Sequence, residues 1–285
     1  MAHGAFLMQR SNVIGHSGLD SDPQQARTGH WWRPRLPRAR WLAPLLAVAG
    51  FVLVWEGITR LEIYPAFILP GPGAVVERFV EVVSDGTLWP HIVTTVTQML
   101  LGLAIGVPLG ILCGVLLAKN RTLESILSPV ILAAQSTPVV AYAPLLIIWF
   151  GSGVTSKIVI AALIVFFPML MNTMVGIRNV PQSRRDLMRL FSATPSQTFW
   201  KLEFPASLPV LFAGLRVSVT LAVIGSIIGE FISASSGLGY LIKLARDKYD
   251  TPLVLVAVIV LAVLARLAYW IVTVIERRVV HWRRL

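Results

Sequence analysis

The side chains that could do chemistry in this chain are few, and they sit inside apolar runs. Gln135-Ser136-Thr137-Pro138 and Tyr142-Ala143-Pro144 share one run, Pro168 and Asn172 lie in the next, and Gly229-Glu230-Phe231 closes a third. Pro138 and Pro144 each interrupt a helical ladder, and the carbonyls they free need partners. Broken helices with polar neighbours are either kinked structural helices or the walls of a solute path. Gln135, Thr137, Tyr142 and Asn172 are therefore candidate path residues. Glu230 is a candidate for the outer mouth, with plain solvation at the membrane surface as the rival reading. Covalent chemistry has no comparable signal. GxSxG, HExxH and CxxC are absent, the histidines (His3, His16, His30, His91, His281) are scattered, and the single cysteine, Cys113, excludes an internal disulfide. The segment Gly151 to Lys157, GSGVTSK, lacks the glycine before its lysine and the Ser/Thr after it, so it is no phosphate loop. The expectation is no catalytic residue, no metal ligand and no cofactor.

The elements that must position these residues are membrane helices. Of the 285 residues, 55% are hydrophobic and 14% charged, against about 25% charged in a soluble domain. The mean hydropathy is +0.72. A spanning helix takes about 20 apolar residues, and six runs qualify: Trp41 to Ile58, Ile92 to Leu117, Ile126 to Phe150, Ile158 to Ile177, Pro209 to Phe231 and Pro252 to Ile275. The fold class is all-α, a polytopic membrane protein of six transmembrane helices. Gly73 to Asp85 has helical spacing at Val75, Val76, Phe79, Val80 and Val83 but is too short to span, which predicts an interfacial helix. Residues 1–40 read as a disordered basic tail. A cleaved signal peptide is the alternative, but the apolar run starts late and meets Trp55-Glu56 without a small-x-small exit. Gly102, Gly106, Gly110 and Gly114 mark one face of the second span every fourth residue. Small residues let backbones approach in lipid, so this face predicts close packing against a helix of this chain or of a partner subunit.

The formal charge of +11 would suggest nucleic acid in a soluble protein. Here it follows topology. With the N-terminus inside, 17 of the 25 Lys and Arg fall on cytoplasmic segments and six outside (Arg60, Arg78, Lys157, Lys243, Arg246, Lys248). That excess sets both termini in the cytoplasm and makes anionic lipid, not nucleic acid, the counterpart. Arg216 is expected to snorkel towards the inner headgroups, and Glu56 with Arg60 forms an interfacial i,i+4 pair.

Between the fourth and fifth spans, Asp186 to Pro205 reads DLMRLFSATPSQTFWKLEFP. The pattern predicts two short helices around a turn near Ser192 to Pro195, long and ordered enough to be a docking site. This segment resembles the EAA motif of ABC-importer permeases, in which EAA is followed by Gly and then by Ile-x-Leu-Pro at fixed spacing. Asp186 stands for the Glu, Leu187 and Met188 for the two Ala, Ser192 for the Gly, Leu202 for the Ile and Phe204-Pro205 for the Leu-Pro. Ser192 departs from the glycine that best suits a left-handed turn. Leu145 to Gly151 (LLIIWFG), Phe166 to Asn172 (FFPMLMN) and Gly237 to Ile242 (GLGYLI) are also similar to permeases for nitrate, sulfonate and taurine. They are similar, too, to the branch for riboflavin and thiamine-pyrimidine precursors.

The resemblance implies a type I ABC-importer permease core over residues 41–285 with a coupling loop over 179–208. It makes Asp186, Ser192, Ala193, Phe199, Trp200, Leu202 and Pro205 the ATPase-coupling residues. It implies two copies of this chain as a homodimer, cytoplasmic ABC ATPase subunits, and a periplasmic or lipid-anchored substrate-binding protein at the bacterial inner membrane. ATP hydrolysis belongs to the separate ATPase, so the chain itself is no enzyme. The solute is a riboflavin or thiamine-pyrimidine precursor type, or nitrate, sulfonate or taurine. The alternatives are an ion-gradient-driven secondary transporter, which calls for inverted repeats and paired intramembrane charges, and a membrane-embedded enzyme, which calls for clustered His or carboxylates.

Overall fold

The structure, a computed structural model, describes residues 39–281, with side chains from residue 46 onward. The chain divides into two units at Gly50–Phe51, and the second holds every site considered below. Of the basic tail expected over 1–40, residues 1–38 lie outside the described residues.

Eleven α-helices account for most of the described residues, and no strand occurs among them. They are α1 (Ala39–Arg60), α2 (Pro72–Ser84), α3 (Leu88–Lys119), α4 (Arg121–Ser136), α5 (Val139–Phe150), α6 (Val154–Arg178), α7 (Gln182–Leu190), α8 (Pro195–Thr198), α9 (Phe204–Ser233), α10 (Leu238–Asp247) and α11 (Thr251–Val279). A π-helical turn, Phe199–Glu203, joins α8 to α9.

Four helical stretches are long and apolar enough to cross a membrane by themselves: α3, α6, Pro195–Ser233 and α11. The straight span expected over Ile126 to Phe150 is instead two helices, α4 and α5, bent by 97°. The cause is local. Pro138 has no N–H to continue the ladder and forces its predecessor Thr137 into extended backbone, φ −82°, ψ 123°. Counting the bent pair as one span gives five. The first expected span, Trp41 to Ile58, falls within the 22-residue α1, and six spans are not established among the described residues.

Glycine spacing sets the central packing. Cβ atoms added at Gly102, Gly110 and Gly114 would lie 2.6 Å from Ala161 Cβ, 2.7 Å from Met169 Cβ and 2.6 Å from Thr173 Cβ, while one at Gly106 would strike the Ala162 carbonyl. The glycine face of α3 thus lies directly on α6 of the same chain. The paired residues rise together along both helices, so α3 and α6 run parallel. The α4–α5 connection must therefore return from the end of α3 to the opposite end of the bundle, where α6 starts.

At that opposite end, α2 and α10 cover the bundle. Val75 and Val82 are the buried residues of α2, whereas Val76, Phe79, Val80 and Val83, which the sequence pattern places on the apolar face, are exposed. Two valines are enough to seat a short helix on α11, and the remaining apolar face is left for lipid. Arg78 ties α2 to α11 through Asp250 Oδ2 at 2.7 Å. Its guanidinium is held above its ordinary pKa, first by the hydrogen bond to Glu81 and then by Asp250. Arg216 pairs with Glu276 in the last turn of α11 at 3.2 Å. Glu56 and Arg60 pair at 2.8 Å.

Candidate functional site

The segment between α6 and α9 is built by capping chemistry. Helix α7 ends at Leu190 with Phe191 as its cap, and Ser192 then takes a left-handed conformation at φ +52°. Ala193 N–H donates back to the Met188 carbonyl at 3.0 Å and closes the turn. Thr194 opens α8 with a capping box: its Oγ1 accepts from Gln197 N–H at 3.3 Å, and Gln197 Oε1 accepts from Thr194 N–H at 2.9 Å. Pro195 occupies the first turn, where its missing N–H costs nothing.

The surface of this segment is unusually apolar for a polar loop. Leu190 is 82% exposed, Phe191 75% and Trp200 62%, and Leu187 is exposed as well. Ala193, Phe199, Leu202 and Pro205 are half-buried. Phe199, Trp200 and Phe204 form a ring cluster with centroids 5.1–6.0 Å apart, Trp200 meeting both phenylalanines edge to face. Asp186 is exposed and engaged within its own helix by Gln182 and Arg189, each at 3.0 Å. Sequence reasoning treated Leu187 only as a stand-in and passed over Leu190 and Phe191. Their 187/190/191 spacing is the helical signal that marks them as one face.

The polar residues of the spans are not all brought together. Thr137 and Tyr142 line one cavity of about 270 Å³ with Leu163 and Phe167, at the break between α4 and α5. Gln135 is exposed outside that lining. Asn172 is half-buried; its Nδ2 donates to the Pro168 carbonyl at 2.8 Å, and its side chain lies against Gly214.

Glu230 is fully enclosed. Its Oε1 accepts from Thr95 Oγ1–H at 2.8 Å, and its Oε2 accepts from Gly239 N–H at 2.6 Å. Thr95 Oγ1 in turn accepts from Leu238 N–H at 2.9 Å, and His91 Nδ1 accepts from Gly237 N–H at 3.0 Å. The N–H groups left open at the start of α10 are thus taken up by side chains of α3 and α9. In this conformation Glu230 braces the end of α10. Nearby Lys157, also buried, donates to the Ser152 and Gly153 carbonyls of the loop before α6.

Comparison with known proteins gives a consistent picture. Residues 106–281 match the family described as "Binding-protein-dependent transport system inner membrane component". The chain is 42% identical over 249 residues to the riboflavin transport system permease protein of Chloroflexus aurantiacus, covering 87% of this chain and 93% of the relative. It is 32% identical over 243 residues to the formylaminopyrimidine transport permease protein of Halalkalibacterium halodurans, covering 85% and 96%. Its fold is similar to that of a solved chain of the inward-facing MetNI methionine ABC transporter, with TM-score 0.56 and 21% identity over 67% of this chain and 94% of that one.

Proposed function

The chain belongs to the family of binding-protein-dependent transport system inner membrane components, and on that premise we propose how it couples, conducts and assembles. It is a multi-pass inner-membrane permease subunit of an ABC importer, and the ion-gradient alternative falls with that membership. The finer reading begins with topology. The end of the bundle carrying α7 and α8 faces the cytoplasm, with Lys119, Arg121, Arg178, Arg184, Arg185, Arg189 and Lys201 gathered there. α1 is the first of six spans, and the bent α4–α5 pair is the third. The N-terminal tail over 1–40 and the C-terminus are then cytoplasmic, and two copies of residues 41–285 flank one path.

The segment 179–208 is the docking site for the ATPase. The observation that carries this is the exposure of Leu187, Leu190, Phe191 and Trp200 on one short helix–turn–helix. Asp186, Ser192, Ala193, Phe199, Trp200, Leu202 and Pro205 form or shape that surface. Apolar and aromatic anchors of this kind dominate interfaces, where truncating one costs about 2 kcal/mol or more. Ala193 sits half-buried beside the Ser192 turn, so Ala193→Arg is expected to abolish co-purification of the ATPase subunit while the permease stays abundant in the membrane. A normally coupled Ala193→Arg transporter would overturn the docking assignment.

Thr137 and Tyr142 line the path at the helix break, with Gln135 and Asn172 along it and Glu230 bracing its outer end. With Cys113 replaced by serine, single cysteines at Gln135, Thr137, Tyr142 and Asn172 are expected to react with a water-soluble maleimide to an extent that changes with ATP. Labelling that is absent, or indifferent to ATP, returns these residues to a structural role. The solute is of the planar heteroaromatic class, riboflavin or a pyrimidine precursor, supported by the identities to permeases named for those solutes. It would be delivered by an external binding protein, and retention of riboflavin by that protein is the direct check.

A further inference from the structure

Where the docking segment meets the spans, one buried carboxylate gathers cations from two elements. Glu203 ends the π-helical turn and is 8% exposed. Its Oε2 lies 3.3 Å from Lys119 Nζ at the end of α3, and its Oε1 lies 3.2 Å from Arg185 Nε on α7. Lys119 also sits over the Phe199 ring, 4.4 Å from its centroid. Arg185 Nη2 donates to the Ile177 carbonyl at 2.8 Å, in the last turn of α6. Arg178, next along α6, donates to the Leu117 carbonyl of α3 at 3.0 Å and pairs with Glu124 of α4. The ends of α3, α4, α6 and α7 are therefore chained together, with Glu203 where the docking segment joins.

The geometry of the hub is informative. Arg185 Nε and Glu203 Oε2 are buried yet make no directional hydrogen bond, so the carboxylate is held by charge proximity. A buried ion pair of this kind is weak support for stability, and its best-attested use is to fix register between elements. Charge attraction falls off gradually with distance, so the contact survives small displacements that would break a hydrogen bond. A cavity of about 440 Å³, lined by Lys119, Ile177, Gln182, Arg185, Ala193 and Glu203, lies beside the hub and leaves the segment room to move. The helix carrying Glu203 is itself locally π, a distortion that recurs at functional sites.

We propose that Glu203 is the positioning residue through which displacement of the docking segment is carried to α3. Docking through 179–208 is the reading this rests on. The segment and the end of α3 then move as one body when the ATPase closes. Without the carboxylate, the segment moves and α3 does not follow.

The test uses the full permease with its ATPase subunit in lipid vesicles, carrying Cys113→Ser and spin labels at Ser196→Cys and Leu116→Cys, both exposed positions. In the parent, the label–label distance is expected to be the same with and without ATP. In Glu203→Ala, ATP is expected to shift or broaden it by about 1–2 Å or more, the scale on which packed helices slide. Glu203→Asp is expected to restore the parent behaviour. If Glu203→Ala does not accumulate, Lys119→Met, at a partly exposed position, makes the same comparison. A Glu203→Ala distance identical to the parent in both states overturns the proposal. So does a broadening already present without ATP, which would mark a purely structural brace. Co-purification of the ATPase with Ala193→Arg is read separately, so a misplaced docking site is told apart from a hub that carries no load.

Discussion

Gly106→Leu is expected to remove most of the folded permease from the membrane, whereas Leu112→Ala on the same helix changes little. Gly106 lies where α3 rests directly on α6, and even a methyl group there would meet the Ala162 carbonyl and backbone. Backbone cannot swing aside as a side chain does, so the two helices would have to separate. Overpacking a tight interior costs about 1–3 kcal/mol where the structure can relax. Here relaxation also strips contact from Gly102, Gly110 and Gly114, whose added Cβ atoms would fall within 2.7 Å of α6. In lipid that contact is the main force holding helices together, because no hydrophobic drive separates apolar side chains from acyl chains. Leu112 is 57% exposed on another face of α3 and serves as the control. Membrane abundance and monodispersity in mild detergent measure the effect. A Gly106→Leu protein as abundant and as stable as the parent would show that α3 and α6 are held by something other than this face.

Why some of this was legible in the residues and some was not follows from range. The spans α3, α6, α9 and α11 show because each is a long apolar run, and lipid imposes that composition without regard to neighbours. The break at Thr137-Pro138 shows as a proline, but its 97° angle does not, since the angle depends on how α5 packs on α6. Ala143, Leu146 and Ile160 make that contact, and nothing in a periodic pattern pairs them. The turn at Ser192 sits where the family motif carries glycine and adopts the left-handed backbone despite its side chain. On α2, apolar spacing announces a helix, but Val75 and Val82, not the more continuous stripe beside them, turn inward. Glu230 is the clearest limit. Its partner Thr95 is 135 residues away, and a carboxylate near the end of an apolar run looks the same whether it faces water or a helix terminus.

Glu230→Ala and Gly237→Ala are both expected to lower the melting temperature of the purified permease sharply, and for complementary reasons. Removing the Glu230 carboxylate leaves Gly239 N–H and the Thr95 hydroxyl buried without their acceptor, at about 1–3 kcal/mol for each orphaned group. Gly237 has φ +116°, ψ 161° at the entrance to α10, a conformation open essentially to glycine. A Cβ there would occupy the space of the Glu230 carboxyl itself. That adds a collision to backbone strain of about 1–3 kcal/mol. Glu230→Gln separates shape from acceptor capacity. Gln fills the same volume but replaces one of the two acceptors with a donor, and Gly239 N–H can only donate. Its Oε1 must therefore face Gly239, leaving its NH2 towards Thr95 Oγ1, which can still accept if the hydroxyl proton turns away. The expected order of stability is parent, then Glu230→Gln, then Glu230→Ala, read as melting temperature in detergent. Glu230→Ala melting with the parent would show that the start of α10 does not depend on this carboxylate. The same order should appear in protease resistance at Lys243 and Arg246, because releasing the N-terminus of α10 frees that helix from α3 and α9 before the spans themselves separate.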